Sequence, residues 1–235
     1  MTVEDLLTRI RDRVRGGPAG SPPPPVPPAP RDPLAILARF EVEAQKVNCT
    51  TSRAASREDA REQILEVASR HRVRRAVCWE HPVLEALGVA ALLTGRDITL
   101  EPAQAMGRDP GARERWLREV AAADLGISGV DVAVAETGTL VLHAGPGRGR
   151  LVTCLPPVHL AVLTLDALVA DLFHLSARWR ASGGEAGRSL RSCAHLITGP
   201  SRTADIELSL TRGVHGPAEV HVLTCLFLGP ETTPA

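Results

Sequence analysis

The chain has 235 residues, with Lys+Arg 27 against Asp+Glu 27, 44% apolar residues, three Phe, three Trp and no Tyr. Neither the basic footprint nor the stacking aromatics of a nucleic-acid-binding surface are available. No apolar run reaches the ~18 to 20 residues that cross a bilayer, and MTVEDLLTRIRDRVR is charged and amphipathic rather than a secretory signal. A cytoplasmic protein without nucleic-acid or membrane partners is expected. The cysteines, Cys49, Cys78, Cys154, Cys193 and Cys225, are odd in number and at least 29 residues apart, so no CxxC pair exists to seed a zinc or iron–sulfur site. They read as buried, reduced thiols.

In chain order, residues 1–15 form an expected N-terminal amphipathic helix, with Thr2 as N-cap and Val3, Leu6, Leu7, Ile10 and Val14 on one face. Residues 16–33 are a Pro-rich linker, holding nine of the nineteen prolines, whose fixed φ and missing amide hydrogens favour an extended, solvated spacer. Residues 34–235 are long enough for one α/β domain with its own core.

Within that domain Asp32 caps a helix with Pro33 in its first turn, running to about Val47, and Ser56 with Asp59 opens a second to about Arg70. RRAVCW (74–79) reads as a buried strand, HPVLEALG (81–88) as a helix stopped by Gly88, and 111–124 as another amphipathic helix. VDVAVAETGTLVLHA (130–144) reads as a strand pair turning at Glu136-Thr137-Gly138. RLVTCL (150–155) reads as a strand, VHLAVLTL (158–165) as a central strand, and 166–181 as a helix. HLITG (195–199) is a further strand, a helix is expected from about Thr203 to Thr211, and EVHVLTCLFL (219–228) is the last strand. This alternation implies a three-layer α/β domain with a mixed, mostly parallel sheet.

Ligands in such folds collect where strands lead into helices. In ITGPSRTADIE (197–207), Gly199, Ser201, Thr203 and Arg202 make a candidate cradle for a carboxylate or phosphate, with Asp205 and Glu207 opposing it through their charge. An ordinary capped helix is the competing reading there, and GxSxG is absent, so Ser201 is not read as a nucleophile. Glu136, at the turn of an apolar strand pair, is a candidate nucleophile, base or gripping carboxylate, against a solvated hairpin turn. Arg148 and Arg150 in GPGRGR have the spacing to clamp an anion, although the loop is neither a P-loop nor a dinucleotide fingerprint. His159 and His215 are candidate polar groups, His159 as a base. With no HExxH and no three-ligand spacing, neither a metal nor another cofactor is expected.

Three fragments can be taken together: GVDVAVAETGTLVL, PGRGRLVTCLPPVHLAVL and HLITGPSRTADIELSLTRGVHGPAEVHVLTC. As an ordered set from about residue 126 to 228 they resemble the LUD domain of the lactate-utilisation protein C (LutC) family. The resemblance implies a fold similar to the NagB/RpiA/CoA-transferase-like superfamily. It also implies a part in oxidising L-lactate to pyruvate beside partner subunits, one of them carrying iron–sulfur clusters. It supplies motif positions rather than roles, except that CoA-transferases of that superfamily use a glutamate nucleophile near a strand end, with which Glu136 compares. An independent enzyme of CoA-transferase or sugar-phosphate isomerase type, and a non-catalytic scaffold, are the alternatives.

Overall fold

A computed structural model of the protein describes residues 32–103, 110–183, 193–204 and 210–229, with isolated positions before residue 32. Residues 4, 5, 8 and 9 are helical. The rest of the expected N-terminal helix and most of the linker lie outside the described residues, as do Asp205 and Glu207. Among the described residues no helix is long and apolar enough to cross a membrane.

Capping residues set the first helices. In α1 (Pro33–Lys46) the Asp32 carboxylate accepts the Leu34 amide at 2.9 Å, and Leu37, Phe40 and Ala44 are buried on one face. In α2 (Arg57–Arg70) the Ser56 hydroxyl accepts the Asp59 amide at 3.1 Å while the Asp59 carboxylate accepts the Ala55 amide at 2.8 Å, a reciprocal start that satisfies two orphan donors. Then follow α3 (Pro82–Leu87), α4 (Val89–Thr94), α5 (Pro110–Ala121) and α6 (Leu172–Gly183). Gly88, at φ 65°, lies between α3 and α4.

The central sheet has six strands: β1 (Thr50–Ala54), β2 (Arg75–Cys78), β3 (Thr99–Pro102), β4 (Leu125–Gly129), β7 (Val158–Thr164) and β12 (Glu219–Cys225). Their order is β1-β12-β7-β4-β2-β3, and every pairing is parallel. The chain steps from β2 outward to β3, then returns to β4 on the other side of β2. The loops leaving β2 and β4 therefore diverge, which makes a topological switch point at their carboxyl ends.

Antiparallel pairing is confined to two smaller sheets. One, ordered β8-β5-β6-β9, comprises β5 (Val132–Val134), β6 (Thr139–His143), β8 (Leu168–Val169) and β9 (Ala194–Ile197). Its period-two alternation sends Ala133, Leu140 and Leu142 into the main core and Val132, Val134 and Val141 toward Leu175 and Trp179 of α6. The molecule is thus an α/β fold in which a second sheet covers part of the first.

Several elements differ from expectation. The helix expected from about Thr203 to Thr211 is instead an antiparallel pair, β10 (Arg202–Ala204) with β11 (Leu210–Arg212). Ala204, Ile206, Leu208 and Leu210 alternate with polar residues, which is the period of a strand. RLVTCL is not a strand: Arg150–Thr153 is a 3-10 turn, with the Thr153 hydroxyl donating to the Arg150 carbonyl at 3.1 Å. The expected helix over 166–181 becomes a 3-10 turn (Leu165–Ala167), β8 and then α6.

Candidate functional site

Ser201 is held by its backbone: its amide donates to the Pro217 carbonyl at 2.8 Å, and its carbonyl accepts the Gly213 amide at 3.0 Å. The GPSR turn is thereby stitched to the VHGP loop that feeds β12. Gly199 enters this turn at φ 85°, and a Cβ there would lie 2.3 Å from the Val47 carbonyl oxygen, so only glycine fits. Between these segments, at the amino ends of β7 and β12, lies a cavity of about 380 Å³. Its walls are Thr153 and Cys154, His195 to Gly199, Ser201, His215 to Pro217, and Val220.

Three hydroxyls tie the β5–β6 turn to this cavity. Thr137 Oγ1 is 2.7 Å from Thr139 Oγ1, which is 2.8 Å from Thr198 Oγ1. At the same turn Gly138 has φ 62°, and a Cβ on it would meet the α1 backbone at Ala44. Among the described residues, the cavity walls hold two imidazoles and several hydroxyls and no carboxylate. His195 Nε2 is buried with no hydrogen-bond partner among the described residues. Burial, and then the nearby positive charge of Arg150, push the His195 imidazole below its ordinary pKa and keep it neutral at pH 7. Arg202, on β10, is close enough to act on Cys49, but burial prevails and pushes that thiol up to about 11. Arg150 therefore adds positive charge beside the neutral His195 imidazole, and Cys49 offers no thiolate.

Gly199, Ser201 and His215 come together here, with Arg150 and Arg202 nearby and Thr203 half-buried in β10. Glu136 is exposed on its turn, its amide donating to the Ala170 carbonyl at 3.0 Å, and it is not one of the cavity walls. His159 is fully buried within the sheet, Nε2 2.8 Å from the Ser128 hydroxyl, and burial first, then His221, push its pKa down to about 4. His195 and Thr198 carry no motif of their own. Position in HLITG, at the end of a strand that enters a glycine turn, is the signal that could have found them.

Arg148 lies elsewhere, at the carboxyl ends of the parallel strands. Its Nη1 donates to Asp131 Oδ1 at 3.1 Å and its Nε to the Glu80 carbonyl at 3.0 Å. Asp131 also accepts the His143 amide at 2.7 Å, with His143 Nδ1 at 3.6 Å and His81 Nε2 at 3.9 Å. Val83 donates its amide to His81 Nδ1 and Trp179 its indole N–H to His143 Nε2, which leaves the other ring nitrogen of each histidine to donate toward Asp131. Burial works to raise the Asp131 pKa, but His143, through its side chain and amide, and then His81 outweigh it and hold the carboxyl below its ordinary value. His81, Asp131 and Arg148 border a cavity of about 330 Å³ that Asp166 also lines. With two carboxylates against one guanidinium, this crevice is less suited to an anion than the amino-end cavity. His81 follows β2 and Asp131 follows β4, so both sit at the switch point.

Among the described residues, one set of potential metal donors converges, His71, Glu219 and His221, outside both cavities. No cysteine belongs to it.

The LUD domain family model matches residues 37–224. A lactate utilization protein C from Geobacillus sp. (strain WCH70) is 32% identical over 180 residues, covering 75% of this chain and 74% of that protein. Its counterpart from Halalkalibacterium halodurans is 32% identical over 160 residues, covering 68% and 66%, and that from Shouchella clausii 34% over 152 residues, covering 65% and 62%. The match thus spans slightly under two thirds of the last two proteins. The crystal structure of a DUF162 family protein from Deinococcus radiodurans superposes with a TM-score of 0.57 at 22% identity, covering 83% of this chain and 99% of that one, which shows the fold.

Proposed function

Because the chain belongs to the LUD-domain family of lactate utilization protein C, we propose that it is a LutC-type component of an L-lactate utilisation system. In this reading it holds the small carboxylate, L-lactate or pyruvate, in the amino-end cavity. The observation that carries the assignment is the match to proteins named lactate utilization protein C over most of the domain. The cavity supports the ligand class: hydroxyls of Ser201 and Thr198, imidazoles of His195 and His215, and arginine charge nearby suit a carboxylate.

Conversion of L-lactate to pyruvate removes two electrons and two protons. A neutral imidazole is competent to take a proton, whereas the electrons need a redox partner, for which iron–sulfur subunits are the class proposed. Burial pushes the Cys78 and Cys225 thiols up to about 12, as expected of structural rather than reactive cysteines. Exposed Leu196 in the cavity wall, with exposed Leu155 and Val214 next in sequence to wall residues Cys154 and His215, supports a partner seated over the mouth.

Thermal shift and calorimetry on the full chain, with L-lactate, pyruvate and inorganic phosphate, test the ligand class. A carboxylate at 100 times its dissociation constant stabilises by about 2.7 kcal/mol, and Ser201→Ala with His195→Ala is expected to abolish that gain. No response to either carboxylate removes the carboxylate site; a response that survives both substitutions moves it elsewhere.

A further inference from the structure

On the face of β12 opposite the cavity wall formed by Val220, the alternation of the strand places Glu219 and His221 side by side. His71, which caps the C-terminus of α2, meets them there. Glu219 Oε2 is 3.3 Å from His221 Nε2 and 3.6 Å from His71 Nε2, and the donor atoms of all three lie within 4.8 Å of one another. The two imidazoles are edge to face, with centroids 5.4 Å apart.

Both Nε2 atoms are buried, the His221 side chain is only 6% exposed, and Glu219 Oε2 is the carboxylate that both face, without a well-aligned hydrogen bond among the described residues. Two buried ring nitrogens converging on one carboxylate form a donor set that an ion can bridge. Ligands on one tetrahedral ion, with bonds of about 2.0 to 2.1 Å, sit about 3.3 to 3.4 Å apart, so little movement closes the set.

We propose that His71, His221 and Glu219 form a three-ligand site for a divalent transition-metal ion of the zinc class. The half-exposed Glu219 side leaves the fourth position to water or a partner's group. The ion would pin the end of α2 to the start of β12, one residue from the cavity wall at Val220. The site is independent of the carboxylate reading.

Titration of the full chain with Zn(II) and Co(II) tests it. Wild type is expected to retain one equivalent of zinc after dialysis, and with Co(II) to give the intense visible bands of a four-coordinate ion without thiolate charge-transfer absorption. His71→Gln and Glu219→Gln, checked for native circular dichroism, are each expected to weaken binding tenfold or more. Glu219 is exposed enough that its variant folds even if the other does not. A wild type that retains no metal overturns the proposal. So do variants that bind as tightly as wild type, or a cobalt spectrum of thiolate type.

Discussion

Asp131→Asn is expected to lower the free energy of unfolding at pH 7 by about 3 kcal/mol, because it strands Arg148 and the N–H groups of His81 and His143 around a neutral amide. The loss depends on pH in a definite direction. The folded-state pKa of Asp131 is depressed, so its contribution is present above the unfolded carboxylate value and is lost as pH falls through the folded one. In urea titrations the gap between wild type and variant should be full at pH 7 and narrow only in strong acid. His159 acts in a separate window. Its folded value of about 4 lies below the ordinary imidazole value near 6.5, so the unfolded chain binds the proton first and stability falls between those pH values, by up to about 1.4 kcal/mol per pH unit. His159→Gln, which keeps a partner for Ser128, should remove one proton from that slope. An unchanged acid limb in both variants would contradict the two environments described.

Gly199→Ala should cost about 2 to 3 kcal/mol, since the new Cβ needs a conformation at φ 85° that L residues avoid and meets the Val47 carbonyl. Gly229→Ala, with nothing within 4 Å of its Cβ position, is the control and should stay within about 0.5 kcal/mol of wild type. The two differ in function as well. Displacing the GPSR turn moves Ser201 relative to His215 and should remove the response to carboxylates, whereas the control retains it. Equal urea midpoints for the two variants would mean that Gly199 does not position the cavity.

Elements whose information is local were readable from the chain. The Asp32 and Ser56 caps set the starts of α1 and α2, the apolar run of β7 placed it in the middle of the sheet, and that of β12 marked it as a strand. What long-range contacts decide was not. In β4, LGISG reads poorly as a strand, yet Gly126 and Gly129 are there because a Cβ would strike the Val152 carbonyl and the His81 ring. β1, TTSRA, is polar because it is an edge strand, and β3 ends on a proline that only an edge tolerates. The candidate site followed the same division. Gly199 and Ser201 were legible as one turn, whereas His215 joins them in one cavity through backbone bonds between two loops, which sequence does not express. Arg148 parts from Arg150 because Asp131, brought in by the end of β4, claims it. Convergence of His71 with His221 depends on strand register, which no sequence spacing expresses.

The most direct measurement of the central claim is growth on L-lactate as sole carbon source of a strain from which this chain is deleted. Deletion is expected to abolish growth on L-lactate, leave growth on pyruvate normal, and be rescued by wild type. A Ser201→Ala/His195→Ala double variant that folds and accumulates normally is expected not to rescue. Wild-type growth of the deletion strain on L-lactate would contradict the assignment to lactate utilisation, and full rescue by the double variant would contradict the cavity.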